Sequence, residues 1–334
     1  MKRFILIATA VAGLVAIALI ASSYWLFQRP MPGLIQSQLL EIKSGSHTRS
    51  VLRDLAAKGV QVEPQRDYLS IRLWSNSSRL QAGVYQLEPG MSLEQLFNKL
   101  ATGDQHLFTI TLIEGQTLAQ WRQQLAAHPY LKKDTTDLSN AELYERISAD
   151  RPWPSLEGAL FPDTYSFHAN TSEVTILKSA FTKMQDAVER AWSVRWPDLP
   201  LKSKYELMIM ASIIEKETGF DSERGLVSSV FINRINEGMR LQSDPTTIYG
   251  IDNFDGNLTR AHLRESTAYN TYRIDGLPPT PIAMSSYDSL LAAAQPDDSE
   301  YFYFVANGKG EHIFSRTLVE HNRAVNKYQR NTSN

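Results

Sequence analysis

The chain has 334 residues, 43% of them hydrophobic, with 34 basic against 36 acidic side chains and no cysteine. That is room for about two domains with real cores, and the missing thiols exclude disulfides, thiolate metal sites, a cysteine nucleophile and a lipid anchor on cysteine. The net charge of −2 contains no run of five or more like charges, so nucleic acid has no footprint as a partner, and the seven histidines never fall three to five apart, so no metal site is expected.

The first element is a span. Residues 4–27 carry no charge, follow Lys2 and Arg3, and end in the interfacial pair Tyr24 and Trp25. A cleaved signal peptide has an apolar region of only about 7–15 residues, so the segment reads as a retained single-pass anchor. The positive-inside preference leaves residues 1–3 as a cytoplasmic end and places everything after the span outside the cytoplasm. Residues 28–39, with Pro30, Pro32 and Gly33, read as a linker leaving the membrane.

Three segments then share one form: 45-GSHTRSVLRDLA-56, 90-GMSLEQLFNKLA-101 and 115-GQTLAQWRQQLA-126, each with a glycine ten residues before Leu-Ala and each after a β-rich run. The pattern predicts strand, glycine turn and capped helix. Ser92 with Gln95 and Thr117 with Gln120 fit the capping box, and Thr48 is the expected cap of the first copy. Units this short cannot fold alone, so they predict one small α+β module or two abutting ones, with the place of the third copy open.

Further on, 153-WPSLEGALFPDTYSF-167 sets Glu157 and Asp163 among aromatics and prolines. It reads as a packed connection, with a sugar-binding cleft as the alternative. Ile176, Leu177, Ala180, Phe181, Met184, Ala187 and Val188 predict an amphipathic helix over 175–192. The next helix, 203–219, has Gly219 as its expected C′ residue and carries Glu215 and Glu217 near its end. At about 100° per residue these two point roughly 200° apart. Glu217 continues the stripe of Met210, Ile213 and Ile214, where desolvation would raise its pKa and hold a proton ready for general-acid work; Glu215 continues the smaller, more polar face of Met208, Ala211 and Ser212. A Ser222-capped helix over 222–238 leads to 241-LQSDPTTIYG-250, and 268-AYNTYRIDGLPPTPI-282 follows. Aromatic faces with amides and hydroxyls at this density suit sugar rings. Neither stretch is a phosphate loop or a dinucleotide fingerprint, and no cofactor is expected.

At these residues the chain resembles the YceG-like family, the endolytic murein transglycosylases. The matching strings are 82-AGVYQL-87, 157-EGALFPDTY-165, 211-ASIIEKET-218, 230-VFINR-234, 239-MRLQSDPTTIYG-250, 268-AYNTY-272, 276-GLPP-279 and 301-YFYFVANGKGEHIFS-315, in order over nearly the whole chain. The resemblance implies an α+β protein: the span, a LysM-like module over 40–104, and a catalytic domain over 105–330 with a lysozyme-like helical core. It also implies attachment to the bacterial inner membrane with the catalytic domain on the periplasmic side, peptidoglycan strands as substrate, cuts within nascent strands, and peptidoglycan synthases as neighbours. The string 217-ETGF-220 is similar to the acid motif of related soluble transglycosylases, which makes Glu217 the expected catalytic residue.

No second carboxylate has a sequence-fixed relation to Glu217; Asp244 is the best outside candidate. Hydrolytic glycosidases usually need two, whereas attack by the 6-hydroxyl of the same muramic acid needs no external water, which favours transglycosylation with a 1,6-anhydro product. The expected substrate contacts are Gln242, Asp244, Thr246, Tyr249, Tyr269, Asn270 and Tyr272. The competing readings are a hydrolytic muramidase on the same bond and a non-catalytic glycan-binding scaffold for the synthases.

Overall fold

A computed structural model of the chain describes residues 1–75 and 79–330, and it divides into two units, residues 1–108 with 166–170, and residues 109–165 with 171 onward. The first unit begins with helix α1 (Lys2–Gln28), the one helix among the described residues long and apolar enough to cross a membrane. It continues with β1 (Gln38–Ile42), α2 (Thr48–Ala57), α3 (Pro64–Trp74), β2 (Gly83–Leu87) and α4 (Leu93–Thr102). β1 and β2 pair antiparallel, Gln38 opposite Leu87 and Ile42 opposite Gly83, and the helices cover one core that includes Leu40, Val51, Leu55, Ile71, Tyr85, Leu96 and Phe97.

The repeat takes the form its spacing predicts. Gly45, Gly90 and Gly115 all sit in the left-handed region, φ 80°, 87° and 71°, where a side chain would be strained. Ser92 and Gln95 close a capping box on α4, and Thr117 and Gln120 close one on the helix of the third copy. In the first copy Thr48 is already helical and buried; His47 stands at the cap, and its N–H donates to Ser50 Oγ at 3.0 Å. Copies one and two lie in the first unit, and the helix of the third lies in the second.

Residues 28–39 are a packed segment where a linker is expected. Met31 and Leu34 are buried in the same core as Phe27, Met31 N–H donates to Met91 O at 2.8 Å, and Pro32 O accepts from Gln61 N–H at 2.7 Å. The apolar side chains in this stretch find the module's core, which outweighs the turn-forming tendency of its prolines.

The second unit contains residues 109–112 of β3 (Phe108–Leu112) and 163–165 of β5 (Asp163–Phe167), strands that pair; α5 (Leu118–Ala127); the short parallel pair β4 (Leu131–Lys132) and β6 (Thr171–Ser172); and α6 (Asn140–Ile147). α7 (Glu173–Ser193) buries all seven residues of its predicted stripe. α8 (Lys204–Glu217) is buried continuously from Leu207 to Ile214 and touches α7, α9 (Arg224–Asn236), α10 (Asp244–Tyr249) and α11 (Tyr287–Ala294), so it is the central helix of the unit. The hairpin β7 (Tyr303–Ala306) and β8 (His312–Ser315) and then α12 (Leu318–Val325) complete it.

Two helix ends differ from expectation. α8 stops at Thr218, which is extended (φ −139°) and whose Oγ1 accepts from Phe220 N–H, so Gly219 is not a left-handed cap. α9 follows a 3-10 turn at Asp221–Glu223 and has no side-chain cap from Ser222.

Candidate active site

The end of α8 sends its two glutamates to different neighbours. Glu215 turns toward α11: it accepts from Ser286 N–H at 2.8 Å and from Ser286 Oγ at 2.6 Å, with the Arg224 guanidinium 3.9 Å away. Its side chain is 5% exposed, so the face of Met208, Ala211 and Ser212 is as buried as the other one. Burial does not distinguish the two acids; their partners do.

Glu217 opens into a cavity of about 440 Å³ whose wall includes Arg234, Gln242, Asp244, Tyr272, Tyr303 and His312. Ser243, itself buried, donates its hydroxyl to Glu217 Oε1 at 2.5 Å. Burial pushes the Glu217 carboxyl up to about 7; the Ser243 hydrogen bond and Arg234 pull it down, and the Asp244 charge adds to the rise. A carboxyl group with this poise holds its proton near neutral pH and still releases it readily.

Backbone chemistry fixes this arrangement. Gln242 sits at φ 52°, unusual for a residue with a side chain, and its N–H donates to Thr271 O at 3.2 Å. Ser243 N–H donates to Thr271 Oγ1 at 2.9 Å, and Ser243 is the N-cap of α10. Arg234 comes from the buried face of α9: its Nε donates to Phe302 O at 2.7 Å and its Nη1 to Leu241 O at 2.6 Å, while its guanidinium lies 5.2 Å from the centre of the Tyr303 ring. It ties together the chain before Gln242 and the strand of the hairpin.

Of the sequence-predicted contacts, Gln242, Asp244 and Tyr272 line the cavity with Glu217. The Tyr272 hydroxyl donates to Asp244 Oδ1 at 2.7 Å, and burial first, then Asp244, raises its pKa. Thr246 and Asn270 are fully buried behind the wall. Thr246 shares a hydrogen bond with Thr271 at 2.8 Å, and Asn270 holds the loop by donating to His262 O and Glu265 O. Tyr249 and Tyr269 meet each other with ring centres 4.8 Å apart, and their hydroxyls go to Glu157 and Thr280. Glu157 is buried, accepting also from Leu118 N–H at the start of α5, and burial raises its pKa to about 7. The packed reading of 153–167 holds at this residue.

Ser243, Arg234, Tyr303, His312 and His321 are cavity residues or partners that the sequence reading does not single out. Arg234 has a usable signal, standing four residues after Val230 and three after Phe231 on a helix stripe. The histidines have none. The hairpin brings His312 in, anchored on Glu223 through its N–H at 2.8 Å and its ring at 2.7 Å, and α12 stacks His321 on Tyr303. Among the described residues no group of three His, Asp or Glu side chains is placed to hold a metal ion.

The sequence profile of the YceG-like family matches residues 40–327. A Bacillus subtilis protein named endolytic murein transglycosylase is 32% identical over 309 residues, covering 86% of this chain and 84% of the relative. A Streptococcus pneumoniae protein of the same name is 30% identical over 75% of this chain, which spans about half (51%) of that relative's length. The crystal structure of a YceG-like protein from Listeria monocytogenes, 31% identical, superposes with a TM-score of 0.55 over 86% of this chain and 99% of its own.

Proposed function

Because the chain belongs to the YceG-like family, we propose that it is an endolytic murein lytic transglycosylase whose catalytic residue is Glu217. The observation that carries this reading is a carboxyl group buried to a pKa of about 7, facing a cavity, with one oxygen held by Ser243. Because Oε1 accepts from Ser243, the proton of the neutral acid belongs on Oε2.

Glu217 gives that proton to the oxygen of the β-1,4 bond between N-acetylmuramic acid and N-acetylglucosamine, and the C1–O bond breaks. The 2-acetamido carbonyl of the substrate stabilises the positive centre at C1. The Glu217 carboxylate then takes the proton of the 6-hydroxyl, O6 bonds to C1, and a 1,6-anhydro end results. One carboxyl group serves both steps, and the attack is intramolecular. Gln242, Asp244 and Tyr272 contact the sugar; Thr246, Asn270, Tyr249 and Tyr269 shape the wall from behind. Asp244 is committed to the Tyr272 hydroxyl through Oδ1, which suits it to orienting a ring better than to activating water.

The remaining readings follow from the same premise. α1 is a retained inner-membrane anchor with the rest of the chain in the periplasm, residues 40–104 are a LysM-like glycan module, and residues 105–330 are the catalytic domain, its α8-centred helices forming a lysozyme-like core. Anchored cuts fall on nascent strands near the membrane and end their growth beside the synthases.

Purified full-length protein incubated with uncrosslinked nascent glycan tests the chemistry. Wild type releases 1,6-anhydro ends, and Glu217→Gln lowers the rate by about 10²–10⁴-fold. Reducing ends would instead establish a muramidase, and no release by wild type would favour the scaffold reading.

A further inference from the structure

α3 is built inside out for a helix facing water. Its inward side carries Asp67, Ser70 and Ile71, all buried, while Leu69 and Leu73, one turn apart, are 58% and 64% exposed and Trp74 is 40% exposed. α3 meets α1 through Trp74, which ends the inward stripe of Asp67, Ser70 and Ile71 and directly follows the exposed Leu73. The Trp74 indole N–H donates to Ser23 Oγ at 2.9 Å, its ring meets Tyr24 edge-on at 4.9 Å, and Ile17, Ile20 and Ala21 line a hollow beside it.

Depth follows from helix geometry. Ser23 lies one residue before Tyr24 and two before Trp25, the interfacial pair that ends the span, or roughly 1.5–3 Å along the axis. A side chain bonded to Ser23 therefore sits at the level of the membrane interface, where amphipathic helices lie. The rim has matching charge: Arg66 and Arg72 are exposed on α3, Arg29 closes α1 over the Trp25 ring, and Asp67 is buried against Arg66 at 3.0 Å.

We propose that α3 is an interfacial helix, with Leu69, Leu73 and Trp74 seated among the acyl chains of the outer leaflet of the membrane that α1 spans and Arg29, Arg66 and Arg72 at anionic lipid phosphates. The inference rests on the anchor reading of α1 and adds a second point of attachment. Two contacts fix the tilt of the first unit on the bilayer, where one helix alone would leave it free.

The chain has no cysteine, so single-cysteine variants can be spin-labelled without background. Full-length Leu69→Cys, Leu73→Cys, Ile17→Cys and Ser44→Cys are placed in nanodiscs of phosphatidylethanolamine and phosphatidylglycerol, and collisions with oxygen and with a water-soluble nickel chelate are measured. Ser44 is exposed beyond the Ile42 end of the strand ladder, away from the Pro30–Ser92 bridge near the span. Labels at 69 and 73 are expected to behave like the one at 17, oxygen-accessible and several-fold less accessible to nickel than the label at 44. If 69 and 73 match 44 while 17 stays in lipid, the proposal is overturned and the anchor stands. If 17 also matches 44, the anchor reading itself fails and the proposal with it. Shielding of 69 and 73 from both reagents would put a second copy of the chain on this face and overturn the lipid occupant.

Discussion

Glu215 and Glu217 leave the same helix two residues apart, both half-buried. Glu215 spends its oxygens on Ser286 and Arg224, while Glu217 has one oxygen on Ser243 and an open cavity before it. Because the acid must start protonated, kcat/KM is expected to fall about tenfold per pH unit above about 7. Ser243→Ala removes a hydrogen bond that stabilises the carboxylate, so the Glu217 pKa rises and the alkaline limb of the profile moves to higher pH while kcat drops; Ser243→Thr keeps the hydroxyl and restores both. A limb that stays in place in the alanine variant would reduce Ser243 to packing. Helical phase is readable from the sequence, and it assigned the two glutamates different directions. Their partners lie 26 and 71 residues downstream, beyond any periodicity, so the reason for the difference became visible only in the fold.

Elements with a local cause were the legible ones. The boxes at Ser92 and Thr117 and the stripe of α7 depend on neighbours within about one turn. The start of α9 was not legible, because Glu223 leaves the helix end to hold His312 on the hairpin. α5 is a further case: its first N–H is taken by Glu157 from 39 residues away. The Glu157 carboxyl rises from 4.5 to about 7 through burial, so its favourable contribution is complete below about 4.5 and is lost as pH rises through about 7. The loss amounts to about 3 kcal/mol. Glu157→Gln keeps an oxygen for Leu118 and removes the ionisation, so it is expected to raise Tm at pH 8 and flatten its decline between pH 5 and 8, as calorimetry would record. Glu215→Ala leaves the start of α11 without its acceptor and Arg224 with Asp221 as its remaining carboxylate, and a loss of about 1–3 kcal/mol is expected with activity per folded molecule retained. If that variant kept its stability but lost its chemistry, the division of labour between the glutamates would be wrong.

On the scale of the whole chain, the stretch after the span is packed where the sequence suggests a linker. Proline and glycine at 30–33 signal a flexible exit, yet Phe27, Met31 and Leu34 share one core with α2, α3 and α4. Deleting residues 1–15 should therefore leave the melting of the first unit nearly unchanged, while deleting 1–31 removes Phe27 and Met31 and costs about 2–5 kcal/mol for each. α1 continues unbroken to Gln28, with Ser23 bonded to Trp74 and Phe27 inside the core. A leash tolerates extra length, but a keyed shaft does not. One alanine inserted between Ser23 and Phe27 would turn one grip about 100° against the other, so that either the Trp74 bond or the Phe27 seat must break. The segment before Ile17, which lies below the hollow beside Trp74, should accept the same insertion silently.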